Sequence, residues 1–251
     1  MYQPKLGVNA KDPKLEMRDH WPALRDRYQD VYFNAQDGTR LNGWYVPPKA
    51  GKPVIIFAHG NAGDIGTWIG PMYRFTNAGY GFFLFDYRGY GLSKGIAQEK
   101  GLYQDMDAAS HYLTQTYGIL SSQQIAMGVS LGSGAVVDSA TRIPYKMVVL
   151  MSTFTSMPDV AQSVFFPLPM QYFVHQRYDS LSKIDRIRCP LIIAQGDHDT
   201  MMPMALTKKL YARATTRHKK LIVVKNAGHN DVIFMGADDV MKAIEANKNI
   251  R

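Results

Sequence analysis

Five unbroken apolar runs of strand length constrain this chain most: Val54–Ala58, Phe82–Phe85, Met147–Met151, Leu191–Ala194 and Leu221–Val224. They are continuous rather than alternating, which marks strands covered on both faces. Segments of helix length separate them, the pattern of a mostly parallel sheet with helices packed on it. Strands are predicted at 30–34, 41–46, 54–58, 81–86, 124–128, 146–151, 190–195 and 219–224, the first two joined by an Asp37-Gly38 turn into a hairpin. Helices are predicted at 65–78, 103–117, 131–142, 203–214 and 232–247, with Asp231 as N-cap of the last. The expected class is α/β, with an eight-stranded, mostly parallel sheet carrying helices on both faces. Residues 1–29, punctuated by Pro4, Pro13 and Pro22, read as an N-terminal arm, and 30–251 as one domain with a short cap segment at about 152–188.

Composition excludes several classes. With 46 % hydrophobic and 20 % charged residues, the chain is neither disordered nor fibrous. Its one cysteine, Cys189, rules out an internal disulfide and any multi-cysteine metal or iron–sulfur centre. No run approaches the roughly 18 apolar residues of a membrane-spanning helix, and the first 20 residues lack a signal-peptide core. A cytoplasmic protein is therefore expected; a peripheral membrane location, or an anchor on a trimmed N-terminal segment, is the alternative. The net charge is +8 and is unevenly spread. Between Thr200 and Asn230 no residue is acidic, while Lys208, Lys209, Arg213, Arg217, Lys219, Lys220 and Lys225 are basic. No nucleic-acid motif accompanies this run, so the anionic partner it suggests is a membrane surface, weakly bound, and not nucleic acid.

The chemistry begins at Gly128-Val129-Ser130-Leu131-Gly132, a G-x-S-x-G motif between a predicted strand and a predicted helix rich in small residues. That context makes it a nucleophile elbow, whose tight turn lifts the serine hydroxyl clear of the sheet. A serine hydroxyl needs a base to take its proton, and the base needs an orienting acid. Asp199 and His229 each follow a later strand, in Gly196-Asp197-His198-Asp199 and Ala227-Gly228-His229-Asn230, so both belong at the strand ends where the elbow points. Asp197 competes for the acid role, and Asp86 reads as a structural turn residue. A metal reading of Asp197, His198, Asp199 and His229 fails because nothing completes the ligand set; neither metal nor cofactor is expected. Acyl transfer also needs N–H donors for the developing oxyanion. Leu131, after the nucleophile, supplies one; Asn61, in His59-Gly60-Asn61-Ala62-Gly63-Asp64, supplies the other, with Ala62 as the alternative.

Taken together, His59-Gly60-Asn61-Ala62-Gly63, Asp86-Tyr87-Arg88-Gly89-Tyr90-Gly91, Gly128-Val129-Ser130-Leu131-Gly132, Gly196 with Asp199 and Pro203, and Gly228-His229 resemble the α/β-hydrolase superfamily. More narrowly, they are similar to small serine hydrolases that include membrane-associated protein depalmitoylases and bacterial relatives. The resemblance spans about residues 30–247 and implies the α/β-hydrolase fold and a serine triad.

Apolar side chains near these loops suit an acyl chain: Ile65 and Trp68 after the oxyanion loop, Phe154, Phe165 and Phe166 in the cap segment, and Met201 and Met202 after the acid loop. A cap of this length leaves the pocket open or lightly covered, for short to medium acyl chains. The expected function is a serine carboxylesterase acting on small-molecule esters. An acyl-thioesterase of the depalmitoylase kind is the alternative, and a non-catalytic lipid-binding module is a third reading.

Overall fold

The computed structural model describes residue 24 and residues 27–250. Nearly all of the expected arm therefore lies outside the described residues. Eight strands, β1 Gln29–Asn34, β2 Arg40–Val46, β3 Val54–Ala58, β4 Gly81–Asp86, β5 Gln124–Val129, β6 Met147–Met151, β7 Leu191–Gly196 and β8 Lys219–Val224, are ordered β1-β2-β4-β3-β5-β6-β7-β8 in the sheet. The chain forms two compact units, one ending at Ile125 and one beginning at Ala126.

In the first unit β1 and β2 form the expected hairpin, with Gln29 opposite Tyr45 and Asn34 opposite Arg40. β2 pairs antiparallel with β4, and β3 pairs parallel with β4. Both β3 and β4 are buried along their whole length, as their continuous apolar character requires. Phe83 of β4 packs against both Phe33 and Tyr112, at ring-centroid distances of 5.4 and 5.7 Å. The predicted helix 65–78 divides into a 3₁₀ turn, Ile65–Trp68, and helix α1, Ile69–Asn77. Helix α2, Glu99–Tyr117, begins four residues earlier than expected.

The Arg88 guanidinium ties the hairpin turn to α2. It donates to Asp105 Oδ1 at 2.8 Å and to Asp37 Oδ2 at 2.7 Å. The hydrogen bond from Arg88 leads in holding the Asp37 carboxyl down at about 2.

In the second unit β6–β7 and β7–β8 are parallel pairs. Helices α3 Leu131–Ser139, α4 Met157–Phe165, α5 Met204–Arg213, α6 Val232–Met235 and α7 Ala237–Ala246 connect or follow the strands. Three expectations need correction. β8 is not covered on both faces: it ends the sheet, its exposure alternates, and Val223 is 48 % exposed. The predicted helix 232–247 is broken at Gly236, the weakest helix former in that span. Asp231 stands at the N-cap of α6, but its side chain makes no cap bond; the carboxylate turns back to accept the Gly228 N–H at 2.9 Å.

The cap segment contains an unpredicted helix, α4. Ser156 caps it by accepting the Asp159 N–H at 3.2 Å, so Ser156-Met157-Pro158-Asp159 carried a readable start signal. Beyond α4 the segment leaves a group of large apolar side chains in solvent, including Phe166 at 79 % and Tyr172 at 78 % exposure. Among the described residues no helix is long and apolar enough to cross a membrane.

Candidate active site

The second unit builds the elbow from β5 and α3. Ser130 stands between them with φ 51° and ψ −120°, a conformation that non-glycine residues rarely adopt. Such strain persists only where the surroundings enforce it. Here the Ser130 N–H donates to Met151 O at 3.0 Å, and Ser133 Oγ donates to Ser130 O at 2.6 Å. Gly128 has no room for a side chain: a Cβ would lie 2.5 Å from Gly132 O. Ser130 is buried, with 8 % of its surface exposed.

His229 and Asp199 come to this serine from the loops after β8 and β7. His229 Nε2 lies 3.0 Å from Ser130 Oγ, and His229 Nδ1 lies 2.9 Å from Asp199 Oδ2. A carboxylate only accepts, so Nδ1 carries the proton and Nε2 offers its lone pair to the serine hydroxyl. Close approach of the two loops depends on Gly196, where a Cβ would lie 2.1 Å from Ala227 O.

Asp199 is held from every side. Its Oδ1 accepts the N–H groups of Met201 at 3.0 Å and Met202 at 2.8 Å. Its Oδ2 accepts Gln195 Nε2 at 2.8 Å as well as His229. Burial alone would push this carboxyl up. The hydrogen bonds from His229, the Met202 N–H and Gln195 together outweigh burial and hold it below the usual carboxylate value, so it stays ionised. Asp197, the competing acid, points elsewhere; its half-exposed carboxylate lies 3.7 Å from the exposed His198 ring.

Two positioning contacts here were not anticipated. Buried Gln195 is the next-to-last residue of an apolar strand, and a polar residue in that place was the available signal. Ser152, also at positive φ (47°), donates to His229 O at 3.0 Å and so holds the histidine loop.

The first unit holds the loop after β3. Four ring side chains occupy its carbonyls. Tyr87 Oη donates to His59 O at 3.0 Å, His59 Nδ1 to Gly60 O at 2.7 Å and Trp68 Nε1 to Ala62 O at 3.1 Å, while Tyr90 Oη lies 3.0 Å from Asn61 Oδ1 and 3.2 Å from Asn61 O. Because peptides are planar and trans, fixing the Gly60 carbonyl also fixes the direction of the Asn61 N–H. Asp86 is buried and accepts the Ile65 N–H at 3.0 Å; burial pushes its carboxyl up. Its role in this turn is structural.

The residues expected to bind the acyl chain are placed unevenly. Ile65, Phe154 and Met202 are buried in the core, and Trp68 is half-buried. Phe165, Phe166 and Met201 are exposed. Leu131 opens α3 with a buried side chain. Asn61 is half-buried.

A family model described as "Serine aminopeptidase, S33" matches residues 49–178, just over half of the chain. The chain belongs to this family. Relatives of the S33 chain include the uncharacterized protein Rv2307c of Mycobacterium tuberculosis, 33 % identical over 219 residues, covering 86 % of this chain and 77 % of the relative. The uncharacterized protein YfhR of Escherichia coli K12 is 29 % identical over 252 aligned residues, covering 95 % and 86 %. Among solved structures, the Pyrococcus furiosus esterase Pf2001 matches with a TM-score of 0.75 at 21 % identity, over 97 % of this chain and 99 % of that one. An α/β hydrolase from Vibrio vulnificus matches with a TM-score of 0.77 at 21 % identity, over 96 % and 88 %. The S33 chain thus has the α/β-hydrolase fold, and it is a hydrolase.

Proposed function

We propose that this protein is a serine carboxylesterase acting on small-molecule esters of short to medium acyl chains. The relay from Asp199 through His229 to Ser130 carries the reading, with both distances at or below 3.0 Å. Ser130 Oγ attacks the ester carbonyl while its proton passes to His229 Nε2. Asp199 stabilises the imidazolium through Nδ1–H, and the Leu131 N–H donates to the developing oxyanion. The C–O bond then breaks, His229 gives the proton to the leaving alcohol, and an acyl-enzyme remains. Water, deprotonated by His229, releases the acid. The esterases among proteins of similar fold support this choice, and exposed Phe165, Phe166 and Met201 offer apolar surface to an acyl chain.

Hydrolysis of p-nitrophenyl esters across acyl lengths tests the reading. Turnover is expected to peak at short to medium chains. A steady rise to the C16 ester overturns the chain-length assignment, and a fluorophosphonate probe that fails to label folded protein overturns the serine mechanism. The same triad chemistry cleaves thioesters, so an acyl-thioesterase of the depalmitoylase kind is the second reading. Activity on acyl thioesters with none on oxygen esters would select it.

We further propose weak association with anionic membrane surfaces. The observations that favour it are the basic run from Lys208 to Lys225 and the aromatic side chains left in solvent by the cap segment. Anionic liposomes should bind the protein at low salt and release it at high salt. Equal binding to neutral liposomes overturns this.

A further inference from the structure

A buried polar side chain that takes no part in the reaction steps stands against the triad itself. Gln195, the next-to-last residue of β7, has no exposed surface. Its Nε2 donates to Asp199 Oδ2 at 2.8 Å and to Met202 O at 2.8 Å. Both partners are acceptors only, so the amide nitrogen must face them. The other end of the amide is fixed as well, because Thr207 Oγ1 of α5 lies 2.9 Å from Gln195 Oε1 and donates to it. A flipped amide would present its oxygen to a carboxylate and a backbone carbonyl, neither of which has a proton to give.

We infer that Gln195, held in one orientation by Thr207, is a positioning residue that fixes the triad acid and moderates its charge. The inference rests on the serine-hydrolase reading above. Asp199 Oδ2 is the oxygen that receives His229 Nδ1 as well, so both donors share one anionic atom. The Gln195 N–H draws on that negative charge. Without it, His229 feels the full carboxylate, and its imidazolium form gains stability. The base must be neutral to accept the serine proton, so the acid limb of the rate profile moves to higher pH. Gln195 also bridges Asp199 to the Met202 carbonyl and holds the acid loop closed on itself. Losing that bridge loosens the carboxylate that orients the histidine.

Gln195→Met keeps the length of the side chain and removes the amide. It is expected to lower kcat about tenfold with KM nearly unchanged. The acid limb of kcat/KM, and the His229 titration followed by NMR, should both shift upward by about half a pH unit. Thr207→Val, which leaves Gln195 in place but frees its amide, should shift the same titration in the same direction and by less. In an Asp199→Asn background, Gln195→Met should have almost no further effect on kcat, because the glutamine acts through the acid. A His229 titration unmoved by Gln195→Met, with the variant folded, overturns the inference, as does full additivity with Asp199→Asn. NMR needs no substrate, so the two readings separate. A shifted His229 titration in a protein inactive on all esters keeps the positioning role and removes the esterase reading. An active wild type with an unmoved titration does the reverse.

Discussion

Replacing Ser130 with alanine is expected to lower ester turnover by roughly 10⁴- to 10⁶-fold while the protein melts at nearly the wild-type temperature. The activity loss follows from geometry. Ser130 Oγ is the atom 3.0 Å from His229 Nε2, and without it the imidazole has no proton to accept and the acyl group no atom to bond. The small stability change follows from the backbone. Serine and alanine both carry a Cβ, so the strain at φ 51° is the same in each. The elbow is set by the Ser130 N–H and C=O, which hydrogen-bond Met151 O and Ser133 Oγ, and both survive the substitution. Steady-state kinetics with a p-nitrophenyl ester, beside a thermal melt, reads both quantities. Residual turnover within tenfold of wild type would remove Ser130 as nucleophile.

Asp199→Asn should cost about 10⁴-fold in kcat, whereas Asp197→Asn should leave activity within about twofold. The asparagine oxygen would keep the Met201 and Met202 N–H groups, which need an acceptor. Its N–H₂ would then face His229 Nδ1 and Gln195 Nε2, where Asp199 now offers an acceptor. Histidine answers by moving its proton to Nε2, and an Nε2–H cannot receive the serine proton. Asp197 makes no contact with this relay. Stability carries the same signature. The Asp199 carboxyl titrates lower in the folded protein than its ordinary value of 3.8, so its contribution is fully present above that value. It disappears as pH falls through the lowered folded value. The acid side of a melting-temperature profile should therefore show this loss in wild type and lack it in Asp199→Asn. A more damaging Asp197→Asn would move the acid role two residues back along the loop, to Asp197.

The most legible parts were those where one residue type has one use. Gly128 and Gly196 mark places where a Cβ would strike backbone, and each stands beside a functional loop. Strand limits were readable to within about a residue, because buried runs end abruptly at polar or glycine positions. What escaped was what only tertiary placement decides. Gln195 reads as the end of a strand until Thr207 and Asp199 are brought to it from other elements. Ser152 is an ordinary serine until its backbone turns to positive φ. Ile65 and Phe154 are apolar residues near functional loops in sequence, and the fold uses both as core. The helix α4 was hidden by Pro158, a residue that breaks helices in their interior but starts them well in the first turn.

The place of β8 at the end of the sheet has a consequence for handling the protein. An end strand offers a row of backbone donors and acceptors to any extended chain that drifts past, and proteins discourage such pairing with charge. Lys220 and Lys225 stand exposed at this edge, on either side of exposed Val223. The same lysines belong to the basic run expected to meet anionic lipid. Neutralising them to weaken lipid binding would also remove gatekeepers against self-association, and aggregated protein sediments with or without liposomes. Salt screens those same charges, so sedimentation without liposomes at each salt concentration is what separates the two effects.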